Sequence, residues 1–105
     1  MWTEKDRLFL NRLLATTKAG KTDWAPTASP KVFTTSLSGK FSILIGGVSD
    51  ESIWMTIDDN QGTRIHRLTS DDFAELLELY QLARRRALRV DETIDELMKD
   101  LGEEF

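Results

Sequence analysis

Apolar spacing along the chain predicts an α+β domain: an N-terminal helix, a four-stranded antiparallel β-meander, and two C-terminal helices packed on one sheet face. Three observations carry that expectation. Apolar residues recur at spacings of three and four near both ends. They alternate with polar residues through positions 31–68, which is the period of strands. The alternating stretches are separated by short, turn-forming segments, which favours antiparallel neighbours. At 105 residues the chain is read as a single domain, residues 1–105, with one modest core.

The first helix is expected over residues 4–18. Thr3 and Asp6 resemble a capping pair, Leu8, Phe9, Leu10, Leu13 and Leu14 follow at helical spacing, and Gly20 offers a left-handed stop. Residues from Lys21 to Pro30, with two prolines and small polar residues, read as a loop. Trp24 is expected to anchor that loop at the edge of the core.

Phe33, Thr35 and Leu37 share one strand face, and Phe41, Ile43 and Ile45 share the next, with Ser38-Gly39 suited to a tight hairpin between them. Residues from Gly46 to Ser52 read as a polar, flexible connection. Ile53, Met55 and Ile57 mark a third strand face, and the Asp58-Asp59-Asn60-Gln61-Gly62 segment turns the chain into a fourth strand at Arg64–Leu68.

Thr69 is the expected N-cap of the next helix, and Leu68 with Phe73 has the spacing of a hydrophobic staple. Phe73, Leu76, Leu77, Tyr80, Ala83 and Ala87 form its apolar stripe, broadened by Leu79, Leu82 and Leu88. Val90-Asp91 looks like a joint, with Asp91 capping a last helix whose Ile94, Leu97, Met98 and Leu101 lie together and whose stop is Gly102. The final three residues are expected to fray.

Composition narrows the class. The hydrophobic fraction of 40% and the charged fraction of 30% are those of a soluble globular domain. No apolar run approaches the roughly 18 residues of a membrane span, and the N-terminus lacks the pattern of a secretory leader. Without cysteine there is no thiol nucleophile, thiolate metal site or disulfide, which fits a cytoplasmic setting. The net charge of −4 is unevenly spread. Residues 1–68 carry 7 acids and 9 bases, whereas residues 69–105 carry 11 acids and 5 bases. An acidic C-terminal third disfavours nucleic acid as its partner.

Two segments support a family resemblance. One is Thr17-Lys18-Ala19-Gly20-Lys21-Thr22-Asp23-Trp24; the other runs from Leu79-Tyr80-Gln81-Leu82-Ala83-Arg84-Arg85 through Ala87-Leu88-Arg89-Val90-Asp91 to Ile94-Asp95-Glu96-Leu97. The chain resembles a family of small, mostly uncharacterised bacterial proteins that place a Thr-x-x-Gly-x-x-x-Trp element early and a Leu-Tyr-x-Leu-Ala-Arg-Arg-x-Ala-Leu-x-Val-Asp run late. The resemblance implies a small cytoplasmic α+β domain and brings no catalytic role or cofactor with it.

Candidate sites are few. Arg84, Arg85 and Arg86 point about 100° apart on a helix and cannot form one flat basic face, whereas Arg85 and Arg89, four apart, can. That pair would grip a phosphate or an acidic partner, or else pair with Asp91, Glu92, Asp95 and Glu96 across the joint. Lys40, Arg64 and His66 form a possible basic strand face for a phosphate ligand or nucleic acid, with Trp54 as its one evident stacking residue. His66 as a general base lacks a linked carboxylate or nucleophile in the sequence. Asp58, Asp59 and Asn60 miss the alternation and closing acid of a calcium loop, and Gly46-Gly47 lacks the lysine and helix start of a phosphate loop.

No catalytic residue, metal site or cofactor is assigned. The leading expectation is a non-enzymatic protein-interaction module, with another protein or a second copy as partner. Trp54, Leu79, Leu82, Leu88 and Met98 are its candidate interface residues. The alternatives are a phosphate or nucleic-acid binder using Lys40, Arg64, His66, Arg85 and Arg89, and, behind it, a hydrolase built on His66.

Overall fold

The computed structural model describes residues 4–49 and 52–102. It holds helix α1 (Glu4–Lys18), strands β1 (Ala25–Pro26), β2 (Val32–Leu37), β3 (Phe41–Ser49), β4 (Ser52–Asp59) and β5 (Arg64–Thr69), and helices α2 (Glu75–Ala87) and α3 (Val90–Leu101). The architecture is α+β, and the strands pair antiparallel in chain order, β1-β2-β3-β4-β5. The sheet thus has one strand more than expected. Ala25 and Pro26, read as loop, pair with Thr34 and Phe33 at the sheet edge, where proline's missing N–H disturbs no central ladder.

Alternation creates two unequal faces. Phe33, Ile45, Met55 and Leu68 stand in one cross-strand row, and Thr35, Ile43, Ile57 and His66 in the next. This face meets α2, and α1 packs against α2. The core joins Leu10, Leu13 and Leu14 of α1 to Leu76, Leu79 and Ala83 of α2 over Ile43, Ile45 and Met55 of the sheet. Leu68 and Phe73 are both buried in the core, but with Ala74 as the N-cap of α2 the pair does not hold the N′ and N4 positions of the expected staple. Trp24 is buried as well; its Nε1 donates to Thr17 Oγ1 at 3.1 Å, and Thr17 Oγ1 donates to the Leu13 carbonyl at 2.8 Å.

Turn chemistry explains the boundaries. Ser38 and Gly39 take φ values of 56° and 72°, and Lys40 N–H closes the turn on the Leu37 carbonyl, as a mirror-image hairpin turn demands. Asp59 organises the β4–β5 turn by accepting from the backbone N–H groups of Gln61 and Thr63 at 2.9 and 2.8 Å.

Three local expectations are corrected. β3 continues through Gly46 and Gly47 to Ser49, because Gly46 lets the Trp54 indole lie flat on the neighbouring strand: a Cβ there would sit 2.4 Å from Trp54 Cζ2. Thr69 ends β5 rather than capping α2; residues 70–74 make a turn first, closed by Phe73 N–H on the Thr69 carbonyl, and Ala74 is the N-cap. The third correction concerns α3, which carries no buried residue and whose main contacts are with α2. Among the described residues, only α1 and α2 cover the sheet face. Thr3 of the proposed first cap lies outside the described residues.

Candidate interaction surface

α3 owes its position to one backbone torsion. α2 ends at Leu88, whose N–H bonds the Arg84 carbonyl, and Arg89 then turns left-handed, with φ 52° and ψ 48°. Left-handed backbone costs a non-glycine residue roughly 1–2 kcal/mol, yet it ends one helix and lets the next begin in a new direction. The N-cap of α3 is therefore Arg89, not Asp91. Asp91 sits in the first turn of α3, where its carboxylate suits the positive end of the helix dipole.

Asp91 also reaches back to α2, accepting from Arg85 Nε at 3.1 Å and from Arg85 Nη2. This hydrogen-bonded pair holds the Asp91 carboxyl below the usual aspartate range and raises Arg85. The neighbouring arginines diverge, as the 100° step requires. Arg86 folds over Gly20 and donates a long bond to the Lys18 carbonyl at 3.5 Å. Arg84 lies beside an open cleft of about 640 Å³ with Lys31, Tyr80 and Gln81.

The direction set at Arg89 leaves the apolar face of α3 in solvent. Ile94, Leu97, Met98 and Leu101 are 42%, 55%, 58% and 64% exposed. Leu88, at the joint, is exposed too. Contiguous apolar surface of this kind is a recurrent mark of interaction sites. The molecule measures 55 × 28 × 25 Å.

The remaining interface candidates divide. Leu79 is 1% exposed and belongs to the core, so it is not available as a contact residue; Leu82 is half-buried against that core. Trp54 is half-buried on the sheet face opposite the helices, lying over Gly46. Beside it Thr56, flanked by Leu44 and Arg67 on adjoining strands, is only 1% exposed, and its hydroxyl has no hydrogen-bond partner among the described residues.

The candidate basic residues are similarly dispersed. Arg64 pairs with Asp58 at 3.4 Å, and His66 Nε2 lies 3.1 Å from Asp6 Oδ1 of α1. His66 therefore sits on the helix-covered face of the sheet, whereas Lys40 occupies the β2–β3 turn and Arg85 and Arg89 the helix joint. Three of these five residues, Arg64, His66 and Arg85, already have a carboxylate partner. The Thr17-to-Trp24 element has a structural reason for its spacing: Thr17 holds the indole, and Gly20, at φ 75°, ends α1 beneath Arg86.

Compared with family models, curated proteins and solved structures, the chain matches none. Among the described residues no helix is long and apolar enough to cross a membrane.

Proposed function

We propose that the protein is a non-enzymatic interaction module of the bacterial cytoplasm, with α3 as its contact element. The observation that supports this reading most directly is an amphipathic helix whose four large apolar residues are all exposed although its neighbours build a complete core without it. Burying a side chain of that size is worth about 1.5–3 kcal/mol, so a partner covering the stripe gains its main binding energy there. The helix-in-groove mode, in which such a stripe lies in an apolar trough, is the form of recognition that α3 fits.

The test compares the tagged protein with its Leu97→Asp/Met98→Asp variant in pull-downs from native lysate, at low and high salt and after nuclease treatment. Expected is a stoichiometric protein partner that survives nuclease and is lost from the variant, whose melting temperature stays within about 6 °C because two surface substitutions of up to about 0.5 kcal/mol each sum to about 1 kcal/mol. Equal recovery by both proteins, or an eluate that disappears with nuclease, would refute α3 as the contact element.

A further inference from the structure

The charges of α3 discriminate between a second copy of the chain and an unlike partner. α3 contains five acids, Asp91, Glu92, Asp95, Glu96 and Asp100, against one base, Lys99. At 100° per residue, the stripe from Val90 through Ile94, Leu97, Met98 and Leu101 is bordered on one side by Asp91 and Asp95 and on the other by Thr93 and Asp100. Lys99 falls on the opposite side of the helix with Glu92 and Glu96. Both edges of the stripe are thus acidic, and neither carries a cation. Asp91 is matched by Arg85; Asp95 and Asp100 have no ion pair among the described residues.

These positions decide the sign of the partner. Packing α3 against another α3, in either direction, brings two acid-edged stripes together with no lysine or arginine of α3 between them, and Arg85 at the joint is already engaged by Asp91. Like charges at the rim of an interface slow association and penalise the wrong partner. An anionic membrane surface is disfavoured for the same reason, since interfacial helices put Lys and Arg beside their apolar face. A groove or helix with an apolar floor and basic rims is matched at both edges.

Building on the interaction reading, we infer that α3 docks into an apolar surface flanked by lysine or arginine on a different protein, rather than onto a second copy of this chain. Asp95 and Asp100 select the partner by charge, and Ile94, Leu97 and Leu101 bind it.

The inference is tested with two synthetic 18-residue amphipathic helices of equal apolar content, one with lysine and one with glutamate beside a leucine face. Each is titrated into the intact protein at low salt while backbone NMR shifts are followed, and sedimentation equilibrium is run on the protein alone. Expected are a monomer, shifts centred on α3 with the lysine peptide, at least tenfold weaker binding of the glutamate peptide, and reversal of that preference in Asp95→Lys/Asp100→Lys. Loss of the lysine-peptide shifts in Leu97→Asp would further support α3 as the seat. Shifts that avoid α3, or a preference unmoved by the charge reversal, would overturn the inference. A dimer dispersed by Leu97→Asp would overturn the choice of partner while leaving α3 an interaction element. If neither peptide binds and no dimer forms, the partner class is wrong, and the pull-down separately decides the interaction reading.

Discussion

Thr56 shows how a single hydroxyl weighs on this sheet. Its Oγ1 is buried without a hydrogen-bond partner among the described residues, on the face where Trp54 lies over Gly46. Valine has nearly the same shape and no polar atom to desolvate. Thr56→Val is therefore expected to stabilise the domain by about 1 kcal/mol, raising the melting temperature by roughly 4 °C or more. Calorimetry showing a lower melting temperature would mean that the hydroxyl is satisfied in solution. Thr17 is the contrasting case, since its hydroxyl both accepts from Trp24 and donates to the Leu13 carbonyl. Of these two buried threonines, one is a polar liability and the other fastens the loop after α1. Composition does not distinguish them.

At the scale of elements, the helix joint links protonation to geometry. Asp91 has its carboxyl depressed by the hydrogen bond from Arg85, so the pair favours the ordered joint above the ordinary aspartate range of about pH 4. That contribution is lost as pH falls through the depressed folded value. A carbon-detected titration is expected to place the Asp91 midpoint below its value in Arg85→Ala, with the gap narrowing at high salt because the pair is exposed. Coincident midpoints in the two proteins would show that the pair does not form.

The elements were legible in the sequence to different degrees. Helical periods and alternation located three helices and four strands because each must bury one face. β1 escaped notice because two paired residues leave no period to detect. Gly46 and Gly47 read as a connection because glycine normally weakens strands, whereas here the space left by a missing side chain admits Trp54. The position of α3 was not legible: the stripe of Ile94, Leu97, Met98 and Leu101 was evident, but a stripe reports that a helix wants a neighbour and not whether the fold supplies one. Leu79 was misplaced for the reciprocal reason. The α2 stripe looked too wide for one sheet, yet α1 on one side and the sheet on the other use that width. A left-handed Arg89 had no glycine or asparagine to announce it.

At the scale of the whole molecule, stability and recognition reside in different places. Ile43 is buried in the middle of the sheet, and a charge there has no partner to offset its desolvation. Ile43→Asp is expected to abolish cooperative unfolding altogether, because total stability for a domain of this size is only about 5–15 kcal/mol. The same aspartate placed at Leu97 is expected to leave the transition almost unchanged. Thermal melts of the two variants side by side check the division, and comparable losses in both would mean that α3 belongs to the cooperative core. The five-stranded sheet and the two covering helices thus act as a rigid mount, and the third helix can vary in sequence at little cost to folding.

The ends of the sheet have a bearing on how such a protein survives at high concentration. β1 is only two residues long and includes Pro26, and β5 departs from its register with β4 between Ile57 and Asp58. Short, proline-bearing or irregular borders are poor templates for another chain's backbone. Fibril growth by strand stacking is accordingly obstructed at both ends of the meander, and the molecule can display a sticky helical arm without also offering a sheet that recruits copies of itself into amyloid.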